Sequence, residues 1–145
     1  MMANTAISFD SIKVGDEIPP LVKGPVTRQH LVEWCAAEND YYHLHYDERV
    51  AERMKMPGTP IQGTYKFALL GQLVTRWIGN SATLKNIECS YRGLSLEGDT
   101  LTCKGKVTRV AKVGKGGLVD LELWCENSDG TRSTLGNAIV AFQLG

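Results

Sequence analysis

The stretch TYKFALLGQLVTRWIG, Thr64 to Gly79, organises the rest of the chain around it. Phe67, Leu70, Val74 and Trp77 recur at i, i+3, i+7 and i+10, which predicts an apolar helical stripe. Ala68, Leu69 and Ile78 widen that stripe, and only Lys66, Gln72, Thr75 and Arg76 interrupt it. A helix so apolar on most of its circumference belongs inside a core. Gly79-Asn80 supplies a stop. The start falls at Gly63 or Thr64, because Pro57-Gly-Thr-Pro-Ile-Gln-Gly63 carries two prolines and two glycines and must be irregular.

Downstream of the helix the period changes to two. Ile87, Cys89 and Tyr91 alternate with Glu88, Ser90 and Arg92. Leu101, Cys103, Gly105 and Val107 alternate with Thr102, Lys104, Lys106 and Thr108. Val119, Leu121, Leu123 and Cys125 alternate with Asp120, Glu122, Trp124 and Glu126. Each run predicts a strand with one core face and one polar face. Turn signals at Glu97-Gly98-Asp99, Lys115-Gly116-Gly117 and Asp129-Gly130 separate them, and a last strand is expected from Arg132 to Leu144.

Upstream, Asp16–Gly24 reads as an extended opening segment that Pro19 and Pro20 confine to an edge or to polyproline geometry. Thr27 is an N-cap for a helix through RQHLVEWCAAE, with Leu31, Trp34 and Cys35 on one face and a stop near Asn39. His30 sits just past the first turn, where a surface or capping role is expected. Glu48–Met56 predicts a second, short helix. Helices first and strands after give an α+β domain, residues 1–145, with one curled antiparallel sheet around a long buried helix. That arrangement is the hot-dog fold, and its open sheet edges lead to an expected pairing with a second chain.

A 43% hydrophobic and 22% charged composition is that of an ordinary globular chain. Lys plus Arg equals Asp plus Glu at 16 each, which offers no electrostatic footprint for nucleic acid or an anionic membrane. The first residues lack the basic and apolar regions of a secretory signal, and no run of 18 apolar residues predicts a membrane helix. Cys35, Cys89, Cys103 and Cys125 show neither a CxxC nor a zinc-ligand spacing, so four reduced, packed thiols and a cytoplasmic location are expected.

Chemistry concentrates in NDYYHLHYD, Asn39 to Asp47. These nine residues hold two of the three histidines, two carboxylates and three tyrosines, between helices where functional groups tend to sit. Three readings stay open on residue type alone. Asp and His together suit acid–base work near neutral pH. Asp40, His43, His45 and Asp47 are ligand types for a metal. The third reading is a structural loop of packed tyrosines and hydrogen-bonded histidines. Val113–Gly117 (VGKGG) lacks the spacing of a phosphate loop and reads as a hairpin turn. Lys104, Lys106, Arg109, Lys112 and Lys115 form a basic strand face that suits either the phosphates of a nucleotide handle or plain solvation.

The segment D-Y-Y-H-L-H at Asp40–His45 resembles the signature D-x-N-P-hydrophobic-H of the MaoC-like and (R)-specific enoyl-CoA hydratases. Gly58–Gly63 before the apolar helix matches the position of that family's H-G segment. The opening I-K-V-G-D-E-I and the Gly98-Asp99-Thr100-Leu101 turn also resemble it. The likeness implies a hot-dog hydratase or dehydratase that interconverts 2-enoyl-CoA and (R)-3-hydroxyacyl-CoA thioesters. By resemblance, Asp40 and His45 form the catalytic pair on one water and the Gly63 N–H binds the thioester oxygen. Tyr41, Tyr42, His43, Gln62 and Tyr65 would line the substrate pocket. No metal or separate cofactor is implied, coenzyme A being part of the substrate. Trp77–Val110 further resembles small subunits of hydratases that act on steroid side-chain acyl-CoAs, which implies a homodimer or a hot-dog hetero-oligomer.

Two departures from the pattern stand out. Tyr42-His43 replaces Asn-Pro, and Gln62 replaces the His before the glycine. They motivate a second reading, a non-catalytic acyl-binding subunit. A hot-dog thioesterase is a third, but its usual carboxylate within the central helix has no counterpart, since no Asp or Glu lies between Gly63 and Gly79.

Overall fold

The computed structural model describes residues 6–143. Strand β1 (Glu17–Lys23) leads to α1 (Arg28–Glu38), a 3-10 turn at His43–His45, α2 (Glu48–Arg53) and α3 (Gly63–Ile78). Four strands follow: β2 (Ala82–Tyr91), β3 (Leu101–Val113), β4 (Gly116–Glu126) and β5 (Arg132–Gln143). They form one antiparallel sheet in the order β1-β3-β4-β5-β2. The sheet wraps α3, whose 16 residues span about 24 Å at 1.5 Å per residue. This is the hot-dog arrangement expected from the pattern.

Local chemistry explains each element. Thr27 caps α1 by accepting from the His30 N–H, and the His30 ring in turn accepts from the Thr27 N–H at 3.0 Å. Asn39 ends α1 in the left-handed region, which Asn tolerates. β1 is an edge strand, and its register shifts between Ile18 and Leu21, where Pro19 and Pro20 cannot donate to a ladder. The β3–β4 hairpin turns on Gly114-Lys115, with Gly114 at φ +59°, slightly upstream of the turn expected at Lys115–Gly117.

The core joins the sheet's inner face to α3: Leu70, Val74, Leu101, Cys103, Val119, Leu123, Cys125 and Val140 are fully sealed from solvent. Four expectations are corrected. The second helix ends at Arg53, not Met56; Lys55 takes a positive φ just beyond it. In α3 the stripe is rotated: Leu69 and Leu73 are buried while Phe67 and Trp77 are only half-buried, and Lys66 is buried rather than a polar break. Tyr91, expected on a core face, is 52% exposed, since its strand has reached the sheet's rim. Trp124, expected on the polar face, is 7% exposed. The Arg132 guanidinium covers its ring at 4.2 Å, and its indole N–H donates to Glu126 at 2.7 Å. The register shifts in β2, between Leu84 and Asn86, and in β3, between Val107 and Arg109, lie away from both Tyr91 and Trp124. The final residue of the expected last strand, Leu144, lies outside the described residues.

Candidate functional site

The loop after α1 brings His45 against the strap that precedes α3, where its ring meets Pro60. The 3-10 turn buries Leu44 and leaves His45 half-buried. Its Nδ1 lies 2.9 Å from the Pro60 carbonyl oxygen. A carbonyl only accepts, so Nδ1 carries the proton and the neutral ring keeps its lone pair on Nε2. The Tyr42 ring stands edge-on to His45, with centroids 6.0 Å apart. Asp40 is exposed, and its Oδ1 accepts the Tyr42 N–H at 3.1 Å in an Asx turn. Among the described residues no hydrogen bond joins the Asp40 carboxylate directly to the His45 ring.

The N-terminus of α3 is left open. Gln62 occupies the cap position but makes no cap hydrogen bond. Its Nε2 turns back to donate to the Leu31 carbonyl at 3.0 Å and the Cys35 sulfur at 3.2 Å. The N–H groups of the first turn therefore lack a side-chain partner, at the end where the helix dipole favours negative charge. Gly63 is the first residue of that turn. A Cβ there would stand 2.9 Å from the Tyr91 ring, so only glycine fits beneath this tyrosine without displacing it. Beside it, the Thr64 hydroxyl donates to Glu38 at 2.6 Å and accepts from the Trp34 indole at 2.9 Å.

The other pocket candidates separate. Tyr65 packs edge-on against Trp34, and its buried hydroxyl has no partner; nor has the buried Oε1 of Gln62 one turn away. Burial raises the Tyr65 hydroxyl above the usual phenol range and, despite the Gln62 hydrogen bond, the Cys35 thiol as well. Tyr41, Tyr42 and His43 are exposed. His43 stacks obliquely on Tyr46, and the Tyr46 hydroxyl donates to the Tyr41 carbonyl. Asp47 serves as the cap of α2, accepting from the Arg49 backbone and side chain, which holds its carboxyl below the usual range. Among the described residues no three His, Cys, Asp or Glu side chains converge as metal ligands.

On the basic strand face, Lys104 pairs with Glu126 at 2.8 Å, Arg109 with Asp120 at 3.5 Å and Lys112 with Asp10 at 3.4 Å. Three of the five basic side chains named from the sequence are thus paired with carboxylates; Lys106 and Lys115 have no ion-pair partner among the described residues. Of the clefts among the described residues, one of about 390 Å³ runs between β1 and the far half of α3, past Pro19, Leu21, Leu73 and Trp77, and an open one of about 490 Å³ beside the start of α2 is lined by Arg28, Tyr46 and Asp47, the latter two following His45 in the chain. Sequence reasoning missed Pro60, whose carbonyl orients His45, and Tyr91 over Gly63. A proline shortly before the helix was the available signal for the first; the second depends on sheet curvature and had none. No helix among the described residues is long and apolar enough to cross a membrane.

Comparison with solved structures places this geometry in context. The R-hydratase PhaJ1 of Pseudomonas aeruginosa superposes with a TM-score of 0.85 at 17% identity, covering 97% of this chain and 88% of that one. The (R)-hydratase of A. caviae involved in PHA biosynthesis gives 0.81 at 20% identity, over 93% and 98%. The ChsH1-ChsH2 complex of Mycobacterium tuberculosis gives 0.77 at 22% identity, over 90% and 98%. At these identities the likeness establishes the hot-dog fold. Residues 12–127 match the family model described as the MaoC like domain, and the chain belongs to that family.

Proposed function

We propose that this protein is a hydratase or dehydratase that interconverts 2-enoyl and (R)-3-hydroxyacyl thioesters of coenzyme A. The observation that carries the reading is the fixed His45 tautomer, held by Pro60 of the strap that leads into the uncapped start of α3. Nδ1 is committed to Pro60, so Nε2 is free to take a proton. Asp40 holds the attacking water in orientation. His45 Nε2 removes one proton from that water, and the hydroxide adds to the β-carbon. Electron density moves through the former double bond onto the thioester oxygen, where the Gly63 N–H receives it. The imidazolium then returns its proton to the α-carbon, so water is consumed whole and the imidazole is regenerated. Dehydration reverses each step.

The monomer supplies only part of an acyl pocket. A second chain, the same or a related hot-dog chain, would close it, with the exposed Tyr91 at the rim of β2 as a candidate to line the acyl group. The departures at Tyr42, His43 and Gln62 favour one competing reading, a subunit that binds the acyl group without turnover. Loss of enoyl absorbance, measured over a panel of 2-enoyl-CoAs from crotonyl to steroid-sized, separates the two. Hydration is expected from the wild type, and Asp40→Asn and His45→Ala should each lower it by about 10²–10⁴ while folding is kept. A wild type that binds acyl-CoA without hydrating any of them, alone or with a related chain, establishes the competing reading. Release of free thiol in place of hydration would mean a thioesterase.

A further inference from the structure

Among the described residues Lys66 is the only charged side chain in the buried core, 2% exposed. Its position is unfavourable on two counts. It lies in the first turns of α3, at the positive end of the dipole. No carboxylate approaches it within ion-pair distance among the described residues. The groups that face it are the Cys89 and Cys125 thiols and Asp99, and burial lowers its pKa from the usual lysine range. A buried amine with no ion-pair partner is retained at a standing cost in desolvation, and its hydrogen bonds are where it acts.

Those bonds lead to His45. Lys66 Nζ donates to the Gly93 carbonyl at 3.1 Å and to the Ser95 hydroxyl at 3.3 Å. The Ser95 hydroxyl is also tied to Ser133 and Asn127, and Asn127 Nδ2 donates to the Leu94 carbonyl at 2.7 Å. The 93–97 segment is thus held from α3, β5 and the 127 loop. Its backbone in turn grips the strap that precedes α3. The Ile61 N–H donates to the Ser95 carbonyl at 2.7 Å, the Glu97 N–H to the Thr59 carbonyl at 2.8 Å, and Pro60 bridges Leu96. Pro60 has no N–H of its own, so its carbonyl is aimed only by the anchored residues on either side. That carbonyl is the one that fixes the His45 ring at 2.9 Å.

We propose that Lys66 is a positioning residue for His45. From inside the core it clamps the 93–97 segment, and through that segment it sets the Pro60 carbonyl that selects the Nδ1–H tautomer. The link to turnover rests on the hydratase reading above; the link to the tautomer does not.

The test uses the full chain as Lys66→Met, which keeps the length and removes the donor, and as Ser95→Ala, which removes one partner and leaves the lysine. Long-range ¹H–¹⁵N correlation of histidine-labelled protein reads the tautomer, with the His45 signals assigned by their absence in His45→Gln. Thermal unfolding verifies that each variant is folded. The wild type is expected on Nδ1–H alone. Lys66→Met is expected to populate Nε2–H as well and to lower kcat for enoyl-CoA hydration about ten- to a hundredfold, with KM within about twofold. Ser95→Ala should move both readouts the same way and less far. A purely structural lysine would lower thermal stability and leave the tautomer alone. A folded Lys66→Met with the wild-type tautomer overturns the proposal. If that variant does not fold, an unchanged tautomer in Ser95→Ala overturns it instead. A tautomer shift in a protein without hydratase activity would sink the function and leave the positioning role standing.

Discussion

His45 and Gly63, the two groups the proposed reaction asks most of, each have a structural role of their own. A histidine whose Nδ1 donates to a carbonyl is tied down and at the same time left with one defined basic nitrogen. Gly63 is defined by what its missing side chain allows, since a Cβ would meet the Tyr91 ring at 2.9 Å. Tyr91 is half-exposed, so its ring can swing aside. Gly63→Ala should therefore fold, with a stability loss of about 1–3 kcal/mol from the crowding. In a Tyr91→Ala background the same substitution should cost much less. A double-mutant cycle by denaturant unfolding checks this, and additive losses would mean the ring does not lie over the glycine.

At the scale of the element, α3 is held by burial and the sheet by its strand ladders and cross-strand pairs. Leu70 is fully buried, so Leu70→Ala should remove about 2–5 kcal/mol and lower Tm by about 2–4 °C for each of them, read by calorimetry. The outer face of β4 gives a pH-dependent case. Hydrogen bonds from Lys104, and after it Trp124, hold the Glu126 carboxyl below its usual range. A depressed carboxylate stabilises the fold fully above its unfolded pKa and loses that contribution as pH falls through the folded one. Glu126→Gln is expected to destabilise by about 0.5–1 kcal/mol at pH 7, the pair being partly screened by solvent. The gap to wild type should close once acid has protonated Glu126 in both states. A gap of constant size across an acid titration would show that packing of Trp124, not charge, is responsible.

For the whole molecule, the cysteines and the open edge of β2 make distinct predictions. Cys35, Cys103 and Cys125 are sealed, while Cys89 on the edge strand is half-buried. Cys103 and Cys125 face each other across β3 and β4, and the mutual contact and burial hold the Cys103 thiol far above its usual range. A thiol reagent should thus modify at most one cysteine, Cys89, in the native protein and all four after unfolding. Since β2 pairs only with β5, its far side is a ready surface for a second chain. Light scattering is expected to give an assembly heavier than a 15.9 kDa monomer, and slower Cys89 modification as concentration rises. A fully active monomer would remove the second chain from the proposed acyl pocket.

What the chain's own order of residues determined was everything with a short range. The helical period of α3, the period of two in the strands, the Thr27 cap with His30 beside it, and the extended geometry imposed by Pro19-Pro20 were legible, because each depends on neighbours within about one helical turn or one strand pair, whereas the facing of α3 and the burial of Tyr91 and Trp124 were not. The grouping of Asp40, His45 and Gly63 rests on the family resemblance, since no local pattern in the chain links them. Tertiary structure alone decided which groups are sealed and which meet: Lys66 drawn inside, Trp124 covered by Arg132, Gln62 turned from its helix toward Cys35, His45 bound to Pro60 fifteen residues on, and Tyr91 laid over Gly63. The physical reason is that burial and hydrogen-bond partners are properties of pairs brought together by sheet curvature and bulges, and a residue's type records only which bonds it can make, not which partner the fold will bring to it.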